Sequence, residues 1–292
     1  MILTIVGPTG VGKTKLSISL AKKYNGEIIN ADSTQVYREA DIATAKIKPH
    51  ETMGIKHHLI NIKNLDQDYS IYNFQVNGRK IINDIIKRGK TPIIVGGSGL
   101  YVSALLYNYK FNEEDNINVF SLLNANQMYE ALKSLNKDLK IDKNNHQRIE
   151  RYYKKYINNS EEVESMGNKL VYDTIIIGLT TERGKLYEII DKRVDEMINS
   201  GLLDEAREIN GKYPNTKAIN TIIGYKELIP YFNSEISLED AISKIKQKSR
   251  NYAKRQYTWF NNKMDVNWFL VDYDNFDNTT NEIIKFVDGY VN

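Results

Sequence analysis

The sequence has no cysteine among its 292 residues, which excludes a disulfide framework and any metal site built on thiolates. It also has no apolar run long enough to cross a bilayer. The first residues, Met1-Ile2-Leu3-Thr4-Ile5-Val6, lack the basic flank of a secretory signal and read as a strand. A cytoplasmic, zinc-free protein without a membrane partner is the expectation. Charge of one sign is scarce too: 40 Lys and Arg against 37 Asp and Glu leave +3, too little by itself to imply a nucleic-acid partner. Internal repeats and low-complexity tracts are absent. The length leaves room for one large domain, or for a core with an insertion.

What is present starts directly after that first strand. Gly7-Pro8-Thr9-Gly10-Val11-Gly12-Lys13-Thr14 fits G-x-x-x-x-G-K-[ST], the P-loop, between a strand and the helical pattern Leu16, Ile18, Leu20, Ala21. Such a turn is an anion cradle, because glycines let backbone N–H groups face inward and the helix behind adds its partial positive charge. Lys13 reaches the outer phosphate in this pattern, and the Thr14 hydroxyl is placed to ligate Mg²⁺. At average composition the four fixed positions recur by chance in about one chain of this length in a hundred. The bland alternative is a glycine-rich turn with a stray lysine. The flanking strand and helix make a phosphate or diphosphate site the better reading.

The next apolar strand, Glu27 to Ala31, delivers Asp32 and Ser33 at its end, where a parallel sheet lines its ligand crevice. A carboxylate there suits a general base acting on whatever attacks the P-loop ligand. Turn or cap chemistry is the alternative. Tyr37 to Lys48 reads as loop and helix over the site, and Leu59 to Ile62 as a strand. His57 and His58 have no carboxylate at helical spacing and are read as structural. Ser70 caps a helix closed by Lys87-Arg88-Gly89, and Thr91 to Val95 is a further buried strand.

That strand also lacks something. Nucleotide-hydrolysing P-loop proteins usually end it with an aspartate that helps hold Mg²⁺, whereas here Gly96-Gly97-Ser98-Gly99 follows. The glycines suit close approach of a ligand to the backbone. Motor and switch readings recede, and transferases and kinases remain. Beyond Lys110 the composition turns polar with helical spacing (Met128, Leu132, Leu135), which implies a helical insertion. Its segment His146 to Tyr156 interleaves cations with tyrosines, suited to phosphate contacts and base stacking, or to a solvated helix with a tyrosine stripe. Asp173 to Leu179 reads as a strand and the following helix ends at Gly201. Arg183 and Arg193 are candidates for closing over a phosphate, and either suits a surface ion pair equally well. Lys244, Lys246, Lys248, Arg250, Lys254 and Arg255 fall within Ser243 to Gln256 without an acid, a footprint for a polyanion. Asp274 to Asn292 reads as a closing helix.

The expected fold class is α/β, a P-loop NTPase-like parallel sheet core flanked by helices. The core takes residues 1–109 and 171–292, including the C-terminal basic helices, and a small α-helical insertion domain takes 110–170.

Several stretches together resemble one family, the tRNA dimethylallyltransferases (isopentenyltransferases). They are Gly7 to Thr14, Asp32-Ser33-Thr34-Gln35-Val36-Tyr37-Arg38, Asp41-Ile42-Ala43-Thr44-Ala45-Lys46, His57-His58-Leu59, Tyr69-Ser70 and Gly96 to Tyr101. Gln147-Arg148-Ile149-Glu150-Arg151, Arg193-Val194-Asp195, Ile223 to Glu227 and Tyr252 to Phe260 complete the series. They run in family order through most of the chain, leaving Phe111 to Lys140, Ile157 to Leu170 and the tail uncovered.

The resemblance implies transfer of a dimethylallyl group from dimethylallyl diphosphate to N6 of the tRNA adenosine at position 37, beside the anticodon. It implies that Gly7, Pro8, Thr9, Gly10, Val11, Gly12, Lys13 and Thr14 hold the diphosphate, with Mg²⁺ at Thr14. Asp32, Ser98 and Lys13 become the catalytic set, Asp32 accepting from the amine and Ser98 standing where the family commonly has threonine. Asp32, Ser33, Thr34, Gln35, Ser98, Gln147, Arg148, Arg151, Lys254 and Arg255 become tRNA contacts. The insertion and the Tyr252 to Trp259 segment would grip the anticodon stem-loop, with the target base flipped out of its stack. A monomer is expected, since one chain supplies both cradle and grip. The chain departs from the family pattern at Arg151-Tyr152-Tyr153-Lys154 and at Thr221-Ile222. Rival readings are prenylation of free adenine nucleotides, a P-loop kinase of a small alcohol, and an RNA binder with a structural P-loop.

Overall fold

Ile2–Val6, buried at every position, forms strand β1, and its lack of alternation is what a strand covered on both faces requires. The computed structural model describes residues 1–110, 123–135, 141–157, 167 and 169–291. Gly12 opens helix α1 (Lys13–Lys23), and β2 (Gly26–Asn30) returns beneath it. A two-residue β3 (His57–His58), α2 (Ile71–Lys87), β4 (Thr91–Val95) and α3 (Gly99–Leu106) follow. Two helices of the insertion, α4 (Ala125–Leu135) and α5 (His146–Ile157), precede β5 (Thr174–Thr180). The chain then runs through α6 (Arg183–Asn199), α7 (Leu202–Lys212), α8 (Lys217–Thr221), α9 (Ile229–Phe232) and the long α10 (Leu238–Lys263). It closes with β6 (Asn267–Leu270) and α11 (Phe276–Val291).

The six strands pair in the order β3-β2-β4-β1-β5-β6, every pair parallel. Because all strands point one way, the turns after β1, β2, β4 and β5 emerge along a single edge. That shared edge is what brings residues 7–14, 31–35, 96–99 and 180–183 together. Helices cover both faces: Phe74, Ile82 and Ile85 of α2 join one apolar cluster and Leu16, Leu20 and Ala21 of α1 the other. The described chain divides into two compact units, Met1–Tyr107 with Lys169–Asn292, and Asn108–Asn168. The second has its own small core of Met128, Leu132, Ile141 and Ile149, with Tyr152 and Tyr153 against it.

Local chemistry explains the boundaries. Ser70 caps α2, its hydroxyl accepting from the Asn73 amide at 3.1 Å, and Gly89 ends it in the left-handed region at φ 69°. The strand expected at Leu59 to Ile62 does not form, because Leu59 and Asn61 take φ of 62° and 56° and break the extension after His58. The helix expected within Tyr37 to Lys48 is replaced by turns pinned from below. Lys46, 8% exposed, donates to the Tyr37 carbonyl, Asp41 and Asn61. Strand β6, four residues after a long helix, carries too short a pattern to stand out in the sequence.

Candidate active site

The glycine-rich turn leaves β1 between the ends of β4 and β5. A side chain at Gly7 would lie 2.5 Å from the Leu179 carbonyl oxygen, so only glycine fits there. Gly12 caps α1 at φ 84°, with the Phe276 ring against it. Val11 is fully buried and anchors the loop, while Lys13 is half-buried and Thr14 exposed. The Lys13 ammonium donates to the Pro8 carbonyl at 2.6 Å, folding back over its own loop. Desolvation, reinforced by the nearby Arg193 charge and opposed by Asp32, lowers the Lys13 pKa to about 7. An anion in the cradle would reverse that.

Asp32 stands at the end of β2, half-buried, with Oδ1 accepting from the Thr34 amide at 2.9 Å and its hydroxyl at 2.7 Å. This Asx turn fixes the carboxylate while leaving Oδ2 without a protein partner among the described residues. Asp32 lies within electrostatic range of Lys13, Arg193, Tyr101 and Tyr252. Ser98 starts α3; its Oγ accepts from the Ser33 amide at 3.1 Å and lies 3.2 Å from the Ser33 hydroxyl. Burial, with the Asp32 charge adding to it, pushes the Tyr252 phenol up to about 12, and Ser98, Arg255 and Gln256 oppose the rise. Gln35 donates to the Thr44 carbonyl at 3.1 Å. With Thr14, Ser17, Asn30 and His57 it lines a cavity of about 30 Å³.

Two residues with no firm assignment in the sequence reach the cradle. Arg193 of α6 donates to the Thr9 hydroxyl at 3.0 Å, and desolvation lowers its pKa. Arg183 instead donates to the Tyr187 hydroxyl at 2.9 Å on the exposed side of α6. Gln256, 4% exposed, accepts from the Thr9 amide at 3.0 Å and donates to the Gly97 carbonyl at 3.0 Å. The glycines after β4 therefore admit the protein's own atoms rather than a ligand. Side chains there would lie 2.2 Å from the Ala31 oxygen (Gly96), 1.9 Å from the Gln256 amide (Gly97) and 2.1 Å from the Trp259 ring (Gly99).

The basic helix α10 divides by face. Lys246 pairs with Asp195 at 2.7 Å and Arg250 with both oxygens of Asp191 at 2.5 and 2.7 Å, so two of its six clustered cations hold α6. Lys254 and Arg255 are exposed, make no ion pair among the described residues, and with Asn251, Thr258, Trp259, Asn262 and Lys263 line an open groove of about 570 Å³. Arg255 stacks over Tyr252 at 5.7 Å. In the second unit, Arg148 is exposed on α5 over the Tyr152 ring at 5.7 Å. Gln147 and Arg151 lie on the same helix, and their side chains are outside the described residues.

Structural roles account for the rest of the motif series. His58 pairs with the buried Glu27 at 2.8 Å. Arg88 donates to both oxygens of that carboxylate and Lys90 to one, and these partners, Arg88 foremost, hold Glu27 well below the usual carboxylate range. Glu205 of α7 accepts from the successive amides of Asp41, Ile42 and Ala43 at 3.0, 2.7 and 2.9 Å, and from the Tyr225 hydroxyl at 2.8 Å.

A glycine-rich turn on the C-terminal edge of an all-parallel sheet, with no carboxylate after the adjacent β4 and one after β2 beyond it, defines a P-loop-like α/β protein. Its motifs narrow the class further, and the chain belongs to the IPP transferase family, whose profile matches residues 35–263. The chain is 43% identical to a tRNA dimethylallyltransferase of Anoxybacillus flavithermus, covering 99% of this chain and 96% of that one. It is similar in structure to the tRNA delta(2)-isopentenylpyrophosphate transferase of Staphylococcus epidermidis, with a TM-score of 0.76, 40% identity and 99% of both chains covered. A eukaryotic dimethylallyltransferase captured acting on tRNA superposes with a TM-score of 0.82 at 28% identity, over 99% of this chain and 79% of that one. Among the described residues, no helix is long and apolar enough to cross a membrane.

Proposed function

We propose that this chain transfers a dimethylallyl group from dimethylallyl diphosphate to N6 of the tRNA adenosine at position 37, beside the anticodon. The observation that carries the reading is an Asp32 carboxylate fixed by Thr34 at the end of β2, within electrostatic range of Lys13 and of Arg193, which is itself bonded to the glycine-rich loop at Thr9. The amine nitrogen attacks the allylic carbon, the carbon–oxygen bond to diphosphate breaks, and the electron pair leaves with the diphosphate. Asp32 Oδ2 accepts the N6 proton, while Lys13, Arg193 and the loop amides of residues 10–14 stabilise the departing charge. Ser98 fixes the Ser33 amide beside the carboxylate. Lys254 and Arg255 meet RNA phosphates along the α10 groove, and the helices of 110–170, with Arg148, Gln147 and Arg151, contact the stem-loop. One chain supplies all of this, so the reaction asks for no second copy.

The donor set fits Mg²⁺ rather than a cation caged by protein. Thr14 offers a hydroxyl, no cluster of three acidic or histidine ligands stands among the described residues, and Mg²⁺ keeps waters and takes substrate phosphates readily. The Thr14 cavity is water-sized, and it also borders His57, whose Nε2 is buried without a partner. Held at Thr14, the ion would neutralise diphosphate charge.

The test is the mass of the products after mixing the protein with Mg²⁺, dimethylallyl diphosphate and unmodified tRNA, with AMP-acceptor and ATP-only controls. A gain of one prenyl group on the tRNA, mapped to the base beside the anticodon, is expected. Transfer to AMP alone would move the chain to free nucleotides, and phosphate transfer from ATP would make it a kinase.

A further inference from the structure

Four elements meet in one unbroken line of hydrogen bonds. The Gly97 carbonyl, in the turn that carries Ser98, accepts from Gln256 Nε2. Gln256 Oε1 accepts from the Thr9 amide, and the Thr9 hydroxyl accepts from Arg193 Nη1. Each link is 3.0 Å. The line runs from the β4–α3 turn through the inner face of α10 and the glycine-rich loop to α6.

Physical chemistry gives this line work to do. The Arg193 charge disfavours the charged form of Lys13, with Asp32 the opposing carboxylate at both cations. An arginine repelled by that ammonium and free to swing away must be recaptured when the ligand binds. The Thr9 hydroxyl holds Arg193 at the loop, and Thr9 is held in turn because its amide is tied to a side chain that cannot move. Gln256 is buried, and its amide is locked against Gly97, where no side chain could fit. Holding a binding group in place before the ligand arrives removes an ordering cost from the affinity.

We propose that Gln256 is a positioning residue for the donor, acting through Thr9 on Arg193, although it sits beside Arg255 on the helix that faces RNA. Adjacent residues 255 and 256 thereby serve different substrates: the exposed one the acceptor, the buried one the donor. This inference rests on the donor reading of the glycine-rich loop given above.

The experiment is a double-mutant cycle on binding of inorganic diphosphate with Mg²⁺, followed by calorimetry, using the full chain. Gln256→Met and Thr9→Val should each weaken binding about three- to tenfold, the scale of one buried neutral hydrogen bond. The double variant should bind no worse than the weaker single one, because both cut the same line. Thr9→Ser, which keeps the hydroxyl, should bind like the parent. In steady-state transfer, Gln256→Met should raise KM for dimethylallyl diphosphate and leave KM for tRNA unchanged, whereas Arg255→Ala should do the reverse. A role confined to stability would lower Tm without producing that split. Single variants within twofold of the parent, or effects that multiply in the double, overturn the inference while leaving the donor reading intact. A parent protein that fails to bind diphosphate overturns both. Should Gln256→Met not fold, Gln256→Asn, one methylene too short to span Thr9 and Gly97, takes its place in the cycle: affinity within twofold of the parent overturns the proposal, and a loss of about three- to tenfold upholds it.

Discussion

The depressed pKa of Lys13 makes a quantitative prediction about pH. In the free protein the ammonium titrates at about 7, instead of 10.5, because it is desolvated beside Arg193. A diphosphate placed against it favours the charged form and raises that pKa again. The complex therefore holds more protons than the free protein above pH 7, and affinity must fall as pH rises. For a group titrating near 7, the protonated fraction drops from about a half at pH 7 to about a tenth at pH 8 and about a hundredth at pH 9. Affinity should thus weaken about fivefold over the first interval and about tenfold over the second. With dimethylallyl diphosphate as the ligand, the last ionisation is that of an ester, near pH 6, below this window, and does not mask the effect. Titration calorimetry at pH 8 in two buffers of different ionisation enthalpy should report uptake of about 0.9 proton per dimethylallyl diphosphate bound. Lys13→Arg, charged throughout, should show a flat profile and no uptake. An unchanged affinity between pH 7 and 9 in the parent, or uptake persisting in Lys13→Arg, would refute the argument.

Three further perturbations are equally specific. Asp32→Asn removes the proton acceptor and should lower kcat by about two to four orders of magnitude, with the dissociation constant for diphosphate nearly unchanged; single-turnover transfer to tRNA measures it. Gly12→Ala forces a side chain into φ 84° and onto the Phe276 ring, and should cost about 1–2 kcal/mol of stability, read by urea unfolding. Adding Phe276→Ala should relieve the clash but not the backbone strain. Glu27→Gln should cost about 2–3 kcal/mol at pH 7, because charge-assisted bonds from Arg88, Lys90 and His58 are weakened. The folded pKa of Glu27 is lowered, so its stabilisation is present above the unfolded carboxylate value near 4.3 and fades as pH falls below it. The gap between parent and variant should accordingly narrow from pH 7 to pH 3.5.

What could be read from the sequence was what is written locally. Eight consecutive residues spell the glycine-rich loop, the apolar run Glu27 to Ala31 places Asp32 at a strand end, and Ser70 with Gly89 brackets a helix. What could not be read depends on partners far apart in the chain. Gln256 lies 247 residues from Thr9 and Arg193 184 residues from it, and no spacing rule links such positions. The glycines after β4 show the same limit. Their need for space was legible, but its occupants, Ala31, Gln256 and Trp259, were not. In α10 the cations formed one cluster by composition, and packing split them between α6 carboxylates and the open groove. Leu59 looked like a strand residue because its backbone sign is set by tertiary context, not by its side chain.

The grip of Glu205 on residues 41–43 has a consequence for selectivity among anions. Three successive amides converging on one point make a second seat for an oxyanion, comparable in kind to the glycine-rich loop. Here the protein fills that seat with its own carboxylate, so a free phosphate must displace a tethered competitor whose local concentration never falls. Such internal occupancy closes residues 41–43 to outside anions, because any that arrive meet a place the protein has already taken.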